Sequence, residues 1–262
     1  MFRMHKLARL YYRLFRGISL SESVSLQGDL SCIKDSQVKF GTGAKVSIGQ
    51  HVSIRNSKIE VTGGELIVED GVNISDYEIT VTRGCRLHIG ADCYLERGDN
   101  WRNPFIILWD ASSLKVANNN RLRCDVMCRF GGQCEIGEYN CLNERTEIRC
   151  DESVKIGTFN MISYNCRIWD TNTHAFYADD TRRRMTREKF PNIGSEKDKP
   201  VTSPVVIGDD CLLGEECVIL KGSMVGNKCI IGVRSVAAGV LIPERSMAVG
   251  NPAIVKNINQ NY

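Results

Sequence analysis

Residues 205–240 read VVIGDD CLLGEE CVILKG SMVGNK CIIGVR SVAAGV, six consecutive blocks of six residues. The third position of each block is Ile207, Leu213, Ile219, Val225, Ile231 and Ala237. The first is Val205, Cys211, Cys217, Ser223, Cys229 and Ser235, mostly slender side chains. Glycine follows the aliphatic residue at Gly208, Gly214, Gly226 and Gly232. An amphipathic α-helix needs apolar residues three and four apart, and this period does not provide them. It fits a coil of three short strands, a triangular prism in which each side turns one aliphatic residue inward every six positions. Glycine at the corners tolerates backbone angles that a β-carbon resists. Successive coils stack as parallel sheets around one continuous core, and the expected fold is an all-β, left-handed parallel β-helix.

The same signature runs upstream through Ile136, Leu142 and Ile148, then, after a slip of two residues, Ile156, Ile162 and Ile168. Cys134, Asn140, Thr146, Val154, Asn160 and Cys166 fill the slender position. It weakens further back, at Ile48-Gly49 with Ile54 and at Ile89-Gly90 with Leu95. The β-helix is therefore expected over 24–250, with 1–23 as an N-terminal cap and 251–262 as a tail. Cys211, Cys217 and Cys229 occupy one register position and read as slim core residues. The 12 cysteines include no CxxC pair or zinc-finger spacing, so no metal is expected. With no signal peptide, free thiols in a reducing cytoplasm are the expectation.

Lys and Arg number 34 against 31 Asp and Glu, a net charge of +3 that argues against a nucleic-acid partner. Residues 1–17, MFRMHKLARLYYRLFRG, hold five basic residues and no acid, with Leu7, Leu10, Tyr11 and Leu14 at helical spacing. Two readings stand open for them: a cap on the first coil, whose strand edges need cover, or peripheral contact with anionic lipid at the inner face of the membrane.

Ile168 and Ile207 are 39 residues apart, not a multiple of six, so the chain leaves the prism over 170–204 and returns. This charged segment has no repeat, and long excursions of that kind usually carry function. Arg182, Arg183 and Arg184 in it read as a solvated face, as intersubunit ion pairs, or as a site for an anion. Of four histidines, His5 lies in the basic segment, and His51 and His88 read as surface residues without carboxylate neighbours. His174 stands at the mouth of the excursion, in DTNTH. An imidazole there suits a general base that takes a proton from a hydroxyl, and Asp170 or Asn172 is close enough in sequence to orient it.

These residues carry a resemblance. From 134 to 257 the chain resembles the hexapeptide-repeat acetyltransferases of the maltose, galactoside and xenobiotic type, relatives of which O-acetylate capsule, lipopolysaccharide or sialic acid. The matching text is IGEYNCLNERTEIRCDESVKIG, DTNTH and the closing IPERSMAVGNPAIVKNI, the last being the most specific. The resemblance implies a homotrimer with acetyl-CoA along the groove between two prisms and a carbohydrate acceptor opposite. It makes His174 the base, and Asn143 and Asp151 contacts to the acceptor. Gly214, Glu215, Val233 and Ala238 would lie along the pantetheine arm, and Lys256 near the CoA phosphates. The chain departs from the family at Leu212, where a Trp is usual, at Ile254, where a Lys is usual, and at Ala238-Gly239, where a Thr-Lys pair is usual. The three histidines that gamma-class carbonic anhydrases place around a metal are missing. Two other functions stand beside O-acetylation: N-acetylation of an amino-sugar nucleotide, and a β-helix scaffold without chemistry, since a fold alone does not prove a reaction.

Overall fold

The structure, a computed structural model, describes residues 17–99, 102–192 and 198–257. The six-residue period becomes three sheets of 10, 10 and 11 strands, parallel and visited in strict rotation up to Ser246–Val249, after which one antiparallel strand is added to the third. We call these faces A, B and C. Face A runs from Ile18–Leu20 to Val236–Ala238, face B from Ser25–Gln27 to Leu241–Ile242, and face C from Ile33–Lys34 to Ser246–Val249. The prism is a left-handed β-helix. Ile207, Leu213, Ile219, Val225, Ile231 and Ala237 point inward and are at most 2% exposed.

Most coils fall near one of two sizes, and one is enlarged by a bulge between the strands ending at Glu96 and starting at Phe105. Ile59 pairs with Ile79, and Ile106 with Val126, each a step of 20 residues. Ile219 pairs with Ala237, a step of 18. In the larger coils Lys58–Val61 and Glu65–Val68 are 4-residue strands that each bury two side chains. In the smaller ones Leu212–Leu213 and Met224–Val225 are 2-residue strands that bury one. The hexapeptide text fades upstream because the strands there are longer and the corners are filled differently, while the prism itself continues.

The corners correct one expectation. Gly208, Gly214, Gly226 and Gly232 do not adopt left-handed backbone; the residues two further on do, Asp210 (φ 57°), Glu216 (59°), Lys228 (57°) and Arg234 (57°). The glycines are needed for close approach. A β-carbon on Gly214 would sit 2.7 Å from the Val233 nitrogen, and on Gly226 2.6 Å from that of Glu244.

The slender positions behave as packing. All 12 cysteines are free, and Cys211, Cys217 and Cys229 are wholly buried. Burial pushes the Cys93 and Cys211 thiols up to about 11, so both are neutral and unreactive at physiological pH. Asparagines at the same position form a ladder: Asn120 Oδ1 accepts from Asn140 N at 2.8 Å, Asn140 Oδ1 from Asn160 N at 2.9 Å, and Asn160 Oδ1 from Cys211 N at 2.8 Å. At the other end Cys93 Sγ accepts from Asn120 N at 3.5 Å, and the buried Asn160 amide nitrogen has no partner.

Both ends differ from expectation. Among the described residues the first strand of the β-helix is Ile18–Leu20, whose Ile18 pairs with Val38, ahead of the expected start at residue 24. Residues 1–16 of the expected basic helix lie outside the described residues. Ile254–Asn257, expected as tail, turns back and pairs antiparallel with Ser246–Val249 as the last strand of face C. His88 does have a carboxylate neighbour, because the preceding coil brings Glu69 Oε1 to 2.5 Å from its Nε2. No described helix is long and apolar enough to cross a membrane.

Candidate functional site

The excursion leaves after the face A strand Arg167–Trp169 and rejoins at the face B strand Val205–Ile207. Its neck is pinned: Thr171 bridges Thr202, Asn172 N–H donates to Val201 O at 3.1 Å, and Ser203 N–H to Asp170 O at 2.9 Å. Beyond the neck it is not irregular throughout, since Asp179–Lys189 forms a helix, α1. Asp179 and Asp180 in the first turn and Arg187 and Lys189 in the last complement the helix dipole. No residue of α1 is buried. Arg183 reaches its own helix, 3.8 Å from Asp179 and 3.7 Å from Asp180. Phe176 and Phe190 flank α1 and are 83% and 75% exposed, an unusual outlay of aromatic surface.

His174 is exposed at the mouth of this excursion. Asp170 does not serve it in the way expected. Its buried carboxylate accepts N–H groups from Asp151 and Glu152 at 2.8 Å and from Ser153 at 2.7 Å, fastening the corner of the preceding coil. Burial pushes the Asp170 carboxyl above the usual carboxylate range, against those N–H groups and with the Asp151 charge.

Asp151 needs a larger correction. It is neither a surface acid nor open to an acceptor. It is 0% exposed, and Arg129 Nε and Nη2 grip its two oxygens at 2.9 and 2.8 Å. Thr171 O–H donates to Oδ2 at 2.7 Å. Neither Arg129 nor Thr171 stood out in the sequence: Arg129 lies 22 positions before Asp151, and no local pattern announces a partner one coil away.

A second feature lies on face C, where it meets face A. Asn143, Met161, Ile162, Ser163, Leu212, Leu213, Gly214 and Val233 line a shallow groove of about 300 Å³, at the small end for ligand sites. Three expected residues, Asn143, Gly214 and Val233, meet there, and Glu215 is exposed on the corner beside Gly214. Its outer wall is apolar: Met161 is 62% and Leu212 45% exposed. Ala238 lies elsewhere, at the end of the last face A strand, in register with Leu220 and Trp169 and so on the edge from which the excursion departs. Lys256 is exposed on the final strand opposite Met247. Within one chain the His174 corner and the groove are separated by the width of face A, a strand of 3 residues or about 10 Å. Among the described residues no three His, Cys, Asp or Glu side chains are placed to hold a metal ion.

Comparison with known proteins gives the following. No protein-family model matches the chain. It is 34% identical over 119 residues to the putative lipopolysaccharide biosynthesis O-acetyl transferase WbbJ of Escherichia coli, over 45% of this chain and 57% of that protein. It is 30% identical over 145 residues to the probable acetyltransferase Rv3034c of Mycobacterium tuberculosis, over 54% and 41%. The chain thus spans about half the length of the curated relatives it matches. Among solved structures, the polysialic-acid-specific acetyltransferase NeuO superposes with a TM-score of 0.52 at 18% identity, over 91% of this chain and 82% of that one. A UDP-N-acetylglucosamine acyltransferase gives 0.50 at 14% identity, over 94% and 73%. At those identities the structural likeness is one of fold. In sequence and in fold together, the chain resembles the hexapeptide-repeat acetyltransferases.

Proposed function

We propose that this protein is an acetyl-CoA-dependent O-acetyltransferase acting on a sugar hydroxyl of a surface polysaccharide, a glycolipid or its precursor, with His174 as general base. The observation that carries the proposal is the pairing of two features on one prism. A histidine stands at the pinned neck of the longest described break in the coil, and a shallow apolar groove lies one face away. The sequence likeness to a named O-acetyl transferase supplies the reaction class.

In this reading the His174 imidazole takes the proton of the acceptor hydroxyl as that oxygen attacks the thioester carbonyl. Collapse of the tetrahedral adduct expels the CoA thiolate, and the imidazolium returns the proton to sulfur. An imidazole can both take up and give back a proton, as the two transfers require. The groove fits a slender, partly apolar acyl donor: Met161 and Leu212 offer apolar wall, and the bare corners at Gly214 and Gly232 leave backbone reachable. Because that groove and His174 occupy opposite edges of face A, the site is best completed by a second copy. A homotrimer closes such a cleft three times. Glu215, Ala238 and Lys256 remain proposed contacts to the donor, and Asn143 to the acceptor.

Thiol release from acetyl-CoA tests the proposal, with sugar hydroxyl and sugar amine acceptors run side by side. Hydroxyl-dependent release that vanishes in His174→Ala is expected. Release only with amine acceptors would move the reaction to N-acetylation. Failure of acetyl-CoA to raise the thermal midpoint at saturation would favour a scaffold, since 100-fold excess over Kd stabilises a binding protein by about 2.7 kcal/mol.

A further inference from the structure

Thr173, which immediately precedes His174, has φ 66°. A β-branched residue resists the left-handed region and keeps it only where its surroundings dictate it. Here they do. Thr173 N–H donates to Thr171 Oγ1 at 3.1 Å, and the single Thr171 hydroxyl proton goes on to Asp151 Oδ2 at 2.7 Å. Asp151 is fixed in turn by the two-pronged Arg129 contact and by its own N–H to Asp170 Oδ1 at 2.8 Å. Arg129 is itself held, its guanidinium lying 5.2 Å from the centre of the Phe130 ring.

The chain Arg129–Asp151–Thr171–Thr173 is buried through its middle, with Asp151 0% and Thr171 4% exposed. Closing the neck does not require it. The Thr171–Thr202 bridge and the backbone bonds of Asn172 and Ser203 already do that. What the chain adds is a hydrogen bond from the N–H of Thr173, the residue before His174, which the bridge does not reach.

We propose that Arg129, Asp151 and Thr171 are positioning residues: their buried network dictates the Thr173 backbone and thereby aims the His174 side chain. The proposal rests on His174 being the base, and it replaces acceptor contact as the role of Asp151. An ion pair with both carboxylate oxygens engaged is a stiff reference point from which to fix a catalytic side chain.

The test uses the full chain with ¹³C-labelled histidine. With 4 histidines in the sequence, single substitutions assign each ring resonance. In Thr171→Val, which keeps the shape and removes the hydroxyl, the His174 Cε1–Hε1 resonance should move to the position of an unstructured histidine while those of His51 and His88 stay in place. Turnover of acetyl-CoA should fall by about 10- to 100-fold, as for a misplaced reacting group, with KM for acetyl-CoA unchanged. Thr171→Ser, which keeps the hydroxyl, should restore both. Asp151→Asn should move the His174 resonance in the same direction as Thr171→Val. A His174 resonance that stays native in both Thr171→Val and Asp151→Asn overturns the positioning role. The resonance is read without acetyl-CoA, so a displaced His174 in a protein that transfers no acetyl group keeps this inference and removes the functional one.

Discussion

The coils before and after about residue 140 are built on one plan and dressed differently outside. In the early coils the outward rows are charged and pair across coils, as Lys39 with Glu60, Arg86 with Glu65 and His88 with Glu69. In the later coils the outward side chains turn apolar: Met161, Leu212, Met224, Val233 and Leu241 are each at least 45% exposed. Tyr139 and Phe159 stack in parallel on the corner above them, ring centres 5.0 Å apart. The inward rows show no such change, since Ile79 and Ile219 are both about fully buried. The difference teaches that the core is one object, while the outer surface changes character in the later coils, where the proposed site lies.

The largest effect should come from the excursion. His174→Ala should lower acceptor-dependent thiol release by about 10²- to 10⁴-fold, the usual worth of a general base, with no change in thermal midpoint. The matched change in the early coils, His51→Asn, which suits the left-handed backbone there (φ 57°), should leave turnover intact. Equal losses from both would break the comparison.

Next come the inward rows. Ile79→Ala and Ile219→Ala should each cost about 2–5 kcal/mol in urea unfolding, as large-to-small changes in packed cores do. Similar costs and one shared transition would sharpen the view of a continuous core. Two separated transitions would divide the prism in two.

The outward rows should follow. Met161→Glu combined with Leu212→Glu should dissociate the assembly in sedimentation while the fold persists, because large exposed apolar patches mark contact surfaces. Ser47→Glu on the early coils should not. If the unmodified protein already sediments as a monomer, the apolar row has another purpose and the trimer reading falls. The smallest effect belongs to the exposed pair of Lys39 and Glu60, where Lys39→Ala should cost about 0–1 kcal/mol in the same urea measurement.

Much of the fold was legible because a six-residue period is a direct statement of geometry. Ile207, Leu213 and Ile219 announce three sides of a prism, and Cys211 and Cys217 read correctly as slim core. Legibility fell where the coil grew to 20 residues: the paired inward residues Ile59 and Val61 break the count of six without breaking the prism. The corner glycines were misread because a repeat shows where a small residue is needed and not why. Close approach at Gly214 and left-handed backbone at Glu216 look alike in one dimension.

The candidate site was legible in place and obscure in wiring. His174 stood out because the repeat stops beside it. The true duties of Asp170 and Asp151 did not, since their partners lie one coil away, at Ser153 and Arg129.

By itself the sequence determined the inward rows, the break at 170–204 and the histidine at its mouth. Each follows from periodicity and its interruption, and both are local properties of a chain. Only the tertiary structure decided which carboxylates are buried, what they hold, and which side chains share an edge. Stacking brings residues about 20 positions apart into register, and the hydrogen bonds between coils depend on side-chain pairs that no local pattern relates.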